Sequence, residues 1–350
     1  MSLIGKTVEK SLQPIGTKKI GRSEGIPLIT IGVSSFNALD TLRRAIKSAL
    51  NQDWPNKEIL VVDDASTDGC QSLLQDMARH HPELCVIRHQ TNKGYAGTLN
   101  TIVGASRGEF LAIFDDDDES RRDRLTEQWQ RLIEYERLSG AELVLCYANR
   151  NVVRAGQKEA DHVALAIGRE PPEPNGPLVA KYLFGYLADA HYVWGMLGSC
   201  TLMARRRTFL TIGDFDAGFR RSAELDFAVR AAFQGAHFIA VNQPLITQYK
   251  TASADKSGSI PVEYALKLRR KHRDYLSREN VYWASIVMAH AWFHGNAGRS
   301  WRHHLLLALA YGLLPPSILI GKLRWRFLRH SSQESSQMSR FSKAARNMQI

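Results

Sequence analysis

Four adjacent carboxylates, Asp115-Asp116-Asp117-Asp118, follow an uncharged apolar run from Phe110 to Phe114. The apolar half has the composition of a buried strand. Its acids then sit at the C-terminal end of that strand, where open α/β sheets hold their ligands. Four like charges repel one another, and a divalent cation offsets the repulsion. In an extended chain Asp115 and Asp117 project to one side, so the pair can share an ion while Asp116 faces elsewhere. Carboxylate oxygens suit Mg²⁺ or Mn²⁺, ions that bridge a protein to substrate phosphates. A solvated acidic loop without a ligand is the alternative.

The elements that would position these acids come in a βα alternation. Leu28–Val33 reads as a first buried strand, with Ser34-Ser35-Phe36-Asn37 as its turn, and Leu39–Leu50 has helical spacing. Glu58–Val62 is a second strand ending in Asp63-Asp64, and Asp68 is placed to cap a helix running to Ala78. A short strand at Leu84–Ile87, the loop Asn92-Lys93-Gly94 and a helix over Ala96–Ala105 lead into the acidic strand. Such alternation predicts a mostly parallel, doubly wound sheet, in which both acidic strand ends lie on one edge. Further on, Met196–Met203 is expected as a strand, Leu225–Phe233 as a helix and Ala236–Val241 as the last strand.

Composition sets the outer limits. A chain of 350 residues with 44% hydrophobic content can bury a large α/β core. The cysteines Cys70, Cys85, Cys146 and Cys200 show no metal-ligand spacing and suit a reducing compartment. Residues 1–26 read as a flexible basic arm without the apolar run of a leader peptide. Residues 261–350 carry 15 Lys and Arg against 4 Asp and Glu, which is the whole net charge of +11. An anionic partner for that region is expected, a membrane surface or nucleic acid.

Several motifs in order resemble glycosyltransferase family 2, whose members share the GT-A fold. They are Ile31–Asn37, Asp63-Asp64-Ala65-Ser66-Thr67-Asp68, the stretch Asn92 to Asn100, the run Asp115–Asp118, the turn Gly213–Asp216 and the helix start Glu224–Arg230. The resemblance spans about residues 27–255. It implies an α/β, GT-A type fold with a C-terminal helical basic extension, and a nucleotide-sugar donor, UDP- or dTDP-linked. Ser34 and Asp64 would then hold the nucleotide, Asp64 by accepting from a pyrimidine N–H. Asp116 would contact sugar or ribose, and Asp115 and Asp117 would place Mn²⁺ or Mg²⁺ on the diphosphate. Lys250 stands at the family's Tyr-Arg element as a cation for that diphosphate, and Leu99 stands where the family often has Arg. Glu224 aligns with the family's catalytic base, usually an Asp, and Asp226 is its rival. The alternative for both acids is a helix start favoured by the dipole. His191, Trp194 and Met196 are candidates for packing against sugar rings, with ordinary core packing as the alternative.

The resulting division is a flexible arm at 1–26, a transferase domain at 27–260, a helical basic region at 261–330 and a disordered tail at 331–350. Within the third part, Leu305 to Gly321 has no charge but spans too few residues to cross a bilayer, and Pro315-Pro316 interrupts it. Two readings stand for 302–329: a segment lying on an anionic membrane surface, or a helical hairpin packed on the body. The function expected is metal-dependent, inverting transfer of a sugar to a saccharide or lipid-linked acceptor hydroxyl, in cell-surface polysaccharide or glycolipid synthesis. The place expected is the cytoplasm, peripheral on the inner face of the membrane. Rival readings are a nucleotidyltransferase, which should show a Gly-rich basic loop after the first strand, and a non-catalytic nucleotide-binding scaffold. Nucleic acid is not the expected partner.

Overall fold

A computed structural model describes residues 25–322, apart from 158, 188, 190 and 251–258. The arm up to residue 24 and the tail beyond 322 lie outside the described residues. The first half runs β1 (Ile29–Ser35), α1 (Leu39–Leu50), β2 (Lys57–Asp63), α2 (Cys70–His80), β3 (Leu84–Arg88), α3 (Gly94–Ala105) and β4 (Phe110–Asp115). Next come β5 (Glu119–Ser120), α4 (Arg124–Ser139), β6 (Val144–Val153), β7 (His162–Ala164) and α5 (Pro177–Leu183). The order continues with β8 (Met203–Arg205), α6 (Arg206–Ile212), α7 (Ala223–Phe233) and β9 (His237–Tyr249). Four helices close the described chain: α8 (Ile260–Lys271), α9 (Arg273–Arg278), α10 (Tyr282–Asn296) and α11 (Ser300–Gly312).

One sheet runs in the order β3-β2-β1-β4-β8-β6-β9-β5, with β7 on β6. The pairs β3–β2, β2–β1 and β1–β4 are parallel, β8 is antiparallel to both neighbours, and β6 and β9 are parallel again. Because β1 has β2 on one side and β4 on the other, the chain reverses its winding there. Ser34 lies level with Asp115, and Ser35 with Asp63, so both acidic strand ends share one edge.

Alternate residues of these strands feed two cores. Ile59, Val61, Phe110, Ala112 and Phe114 pack with Leu42, Ile46, Leu73, Met77, Leu125 and Leu132 of the helices on one face. Leu60, Val62, Leu111 and Ile113 pack on the other face with Leu99, Ile102, Phe209 and Phe227. Burial on both faces explains why the strands read as continuous apolar runs rather than as alternation.

The expected strand at Met196–Met203 shrinks to β8, preceded by a 3₁₀ turn at Ser199–Thr201. Gly198 breaks the apolar run, Met196 makes only an isolated bridge to Ala166, and pairing with β4 starts where Met203 meets Ala112. The helical region expected at 261–330 begins as α8, α9 and α10, α7 starts two residues before its expected start, and β9 continues past Val241 to Tyr249.

The basic C-terminal region is not a separate layer. Leu268, Leu276, Val281, Ala284 and Leu314 enter the same core as α3 and α7. Arg269, 3% exposed, donates to the carbonyls of Ser285 (2.7 Å), Ala265 (2.9 Å) and Phe184 (3.3 Å), tying α8 to α10 and to the end of α5. Asp226, fully buried on α7, accepts from Arg230 Nε, Lys271 Nζ and His272 Nε2, each at 2.9 Å. That cluster joins α7 to the end of α8. Replacing Asp226 by Asn should therefore cost roughly 2–3 kcal/mol, somewhat less than a fully buried pair because Arg230 and Lys271 reach solvent. Urea unfolding measures it; an unchanged midpoint would show that the cluster contributes nothing.

Candidate active site

β4 ends at Asp115 and the chain bends through Asp116 and Asp117, so the four carboxylates fan out in different directions. Asp115 Oδ1 lies 3.2 Å from the Tyr95 hydroxyl, which is also 2.8 Å from Ser199 Oγ. Asp116 Oδ2 accepts from the Phe36 backbone N–H at 3.0 Å. The Asp117 carbonyl accepts from Arg44 at 2.6 Å, and that guanidinium stacks 3.8 Å from the centre of the Tyr249 ring. Asp118 Oδ1 accepts from the Tyr249 N–H at 3.2 Å, while its buried Oδ2 has no protein donor among the described residues.

Burial and mutual repulsion push these groups up: Asp115 to about 6, Asp116 to about 7 and Asp118 to about 8. Two arginines offset part of the charge. Arg124 is fully buried beneath the cluster, donating to Ile113 O (2.9 Å), Ser120 Oγ (3.0 Å) and Gln128 Oε1 (2.9 Å). Burial pushes Arg124 down to about 10, and the charges of Asp115 and Asp118 are among those opposing the fall. Arg150, on β6, passes over Gly198 so closely that a Cβ there would lie 1.9 Å from its Nη1.

Asp115, Asp118 and Cys200 bring one ligand atom each within 4.8 Å of one another. Burial holds the Cys200 thiol well above its usual range, so it stays protonated and bounds the place rather than binding as thiolate. The oxygens that remain, with the partnerless Oδ2 of Asp118, fit a hard divalent ion. Asp118 joins the expected pair of Asp115 and Asp117: period-two geometry ends with β4, and the bend brings Asp118 to Asp115. Asp117 still faces the cavity described below.

At the second strand end Asp64 is 2% exposed. Its Oδ1 lies 2.7 Å from His89 Nδ1 and accepts from the Lys93 N–H, and Oδ2 accepts from the Gly94 N–H, both at 2.8 Å. Asp64 thus fixes the Asn92-Lys93-Gly94 loop, and a nucleotide N–H would be a further donor to the same oxygens. Leu99 is fully buried in the core and offers no ligand contact, and Asn100 clamps Phe215 through two 2.8 Å backbone bonds.

Glu224 stands in the first turn of α7, after Ser222 in a left-handed conformation (φ 64°). Half-buried, it lines a cavity of about 1060 Å³ together with Asp115, Asp117, Arg150 and Lys250. Burial pushes its carboxyl up, against the pull of its own N–H and of Arg221 and Arg150. Asp226 does not reach this cavity. Burial alone would push its fully buried carboxylate up, but hydrogen bonds with His272, Lys271 and Arg230 hold it low, and of the two candidate bases only Glu224 lines the cavity. Lys250 is exposed at the rim, its N–H donating to Val153 O at 2.8 Å. Trp194, stacked on Tyr182 at 4.4 Å, and Met196 line the cavity, whereas His191 does not. Sequence reasoning missed the far wall, which α10 and α11 supply through Met288, Trp292, Leu307 and Tyr311.

The raised acids have a stability consequence. A free aspartate titrates at 3.8, so between about pH 4 and pH 8 the folded chain holds protons that the unfolded chain has released. Stability is therefore greatest at the acid end of this window and falls as pH rises through it. A divalent ion replaces those protons. Without metal, Tm should drop from pH 5 to pH 8; Mn²⁺ should restore several degrees at pH 8 and little at pH 5, and Asp118→Asn should flatten both trends. Equal Mn²⁺ shifts at the two pH values would place the ion elsewhere.

Comparison with known proteins agrees with this geometry. The profile of glycosyl transferase family 2 matches residues 30–190. The succinoglycan biosynthesis protein ExoO of Rhizobium meliloti (strain 1021) is 38% identical over 120 residues, 34% of this chain and 33% of that protein. The amylovoran biosynthesis glycosyltransferase AmsB of Erwinia amylovora is 23% identical over 257 residues, covering 72% of this chain and 80% of its own. The chain thus spans about a third of the first relative's length. Residues 1–349 of S. aureus TarS, solved with UDP-GlcNAc, superpose with a TM-score of 0.55 at 16% identity, covering 83% of this chain and 82% of that one. Residues 30–190 are a glycosyl transferase family 2 domain, carried on a GT-A fold.

Proposed function

We propose that the protein transfers a sugar from a UDP- or dTDP-linked donor to an acceptor hydroxyl, with inversion, in the synthesis of a cell-surface polysaccharide or glycolipid. The observation that carries this reading is the single cavity in which Asp115 and Asp117 of the acidic strand end face Glu224. The biosynthetic names of ExoO and AmsB and the UDP-GlcNAc complex of TarS agree with it.

Ser34 and Asp64 bind the nucleotide at the edge of β1 and β2, and Asp116 contacts sugar or ribose. Asp115, Asp117 and Asp118 would hold Mn²⁺ or Mg²⁺, which neutralises charge on the departing nucleoside diphosphate. Lys250 adds a point charge toward the same diphosphate. Glu224 accepts the proton of the acceptor hydroxyl as its oxygen attacks the anomeric carbon, and the bond from that carbon to the donor phosphate breaks on the opposite face. A carboxylate with a raised proton affinity is better matched to that task near neutral pH.

A panel of nucleotide sugars with Mn²⁺ and candidate acceptors, read by nucleoside diphosphate release, tests the reading. One donor should be consumed fastest. Glu224→Gln should lower kcat by about 10²–10⁴-fold with nucleotide affinity unchanged, and Asp117→Ala should lose turnover and metal-dependent binding together. Full turnover by Glu224→Gln would remove the base assignment. Nucleotide binding without turnover across donors and acceptors would favour a scaffold.

The reading includes a peripheral seat on the cytoplasmic face of an anionic membrane. No helix among the described residues is long and apolar enough to cross one. On α11, however, Trp301, Leu305 and Leu309, with Leu313 just beyond, are all exposed at four-residue spacing, while Ala310 and Leu314 turn inward. The described part of the segment thus packs one face on the body and leaves the other to solvent. A solvent-facing stripe of Trp and Leu beside Arg302 suits an anionic lipid interface. The full chain should float with phosphatidylglycerol vesicles and not with phosphatidylcholine, and a Leu305→Asp, Leu309→Asp double variant should stay behind. A dimer that dissociates in this variant, with no flotation of the wild type, would assign the stripe to a second copy.

A further inference from the structure

The cavity extends well past the acids. One end carries Asp115, Asp117 and Glu224; the other is built by Met288 and Trp292 of α10, Leu307 and Tyr311 of α11, and Lys322 after it. Ser34, Asp64 and Asp116, the nucleotide side of the proposed reaction, are not in its wall. It therefore leads from the reacting centre away from the donor's base, onto helices that lie outside the family-matched residues 30–190.

Two properties of this far arm define what it can hold. Its surface is apolar and fixed in place. Met288 is 2% exposed, and the Trp292 ring rests against Gly185, where a Cβ would come within 2.2 Å of the indole. Gly185 has φ +83°, a conformation that itself favours glycine, so the ring's seat is set by backbone. The second property is charge. Lys322 sits at this apolar end with its Nζ 5.8 Å from the centre of the Tyr311 ring. Among the described residues no carboxylate pairs with it, and burial pushes its ammonium down to about 8. An ammonium that has lost water without gaining a counter-ion is stabilised strongly by an incoming anion. Arg220 and Arg221 add positive charge along the same cavity.

We propose that this arm is the acceptor subsite and takes an amphiphilic anion, a phosphate or diphosphate joined to a long aliphatic chain. The anionic head meets Lys322, the chain runs along Leu307, Tyr311 and Trp292, and the sugar attached to the head reaches back toward Glu224. The assignment rests on the glycosyl-transfer reading, which supplies the donor side. A phosphate at Lys322 could also come from the donor diphosphate, so the test separates the two sources.

The probe is dodecyl phosphate below its micelle threshold, titrated calorimetrically into the full chain, with inorganic pyrophosphate, dodecyl maltoside and UDP plus Mn²⁺ as parallel arms. Dodecyl phosphate should bind at least tenfold more tightly than pyrophosphate or dodecyl maltoside, and saturating UDP should not displace it. Lys322→Glu and Leu307→Gln should each weaken it tenfold or more while leaving UDP affinity and Tm unchanged, and Lys322→Arg should retain it. Displacement by UDP, or loss of UDP affinity in Lys322→Glu, would return the lysine to the donor side and overturn the proposal. Equal binding of dodecyl maltoside, or no effect of either variant, would overturn it as well. A chain that binds dodecyl phosphate as expected but no nucleotide would sink the transferase reading and with it the acceptor role, leaving only an amphiphile-binding arm.

Discussion

Everything at the sheet edge depends on holding four consecutive carboxylates together with much of their water removed. Burial and repulsion both oppose the charged state, which is why Asp115, Asp116 and Asp118 are pushed up rather than down. The fold tolerates this because it places cations where loops would be too mobile to hold them. Arg124 is bonded on three sides under β4, and Arg150 is pressed over Gly198 from β6. The reversal of winding at β1 and β4 then leaves one open edge, and the unbalanced part of the charge faces it. Either protons or a divalent ion would relieve that repulsion.

Much of this was legible in the chain itself. Apolar runs ending in acids marked β2 and β4, and the βα alternation put their ends on one edge. What local pattern could not supply was the path of the chain after a strand stops. The period-two argument paired Asp115 with Asp117, but it could not supply the bend at Asp116 and Asp117 that also brings Asp118 to Asp115. Spacing to Arg230 favours Glu224 over Asp226, two residues on along the same helix, but says nothing of which of them is accessible. Only the packing of α8 against α7 separates them, burying one in an ion cluster and leaving the other on the cavity. Likewise Met196–Met203 has strand composition, yet a strand needs a partner, and β4 offers β8 only a short antiparallel register.

The basic C-terminal region shows how a charge count can mislead about use. Part of the excess works inside the protein: Arg269 is spent on three carbonyls, and Lys271 on Asp216 and Asp226. Less is therefore available for a partner than the sequence total suggests. The apolar residues divide in the same way, Leu314 toward the core and Leu305 and Leu309 toward solvent.

The cluster around Asp226 has a mechanical consequence. Glu224 lies two residues before it on α7, while α8, joined through Lys271 and His272, begins the helical block that builds the far wall. Glu224 and the far wall are thus linked through one buried carboxylate, in addition to the Arg269 bonds and the shared apolar core. The donor side, by contrast, is assembled from consecutive βα units between residues 29 and 118. On the proposed reading, changes confined to α8–α11 would alter what the far arm accepts while leaving those βα units intact.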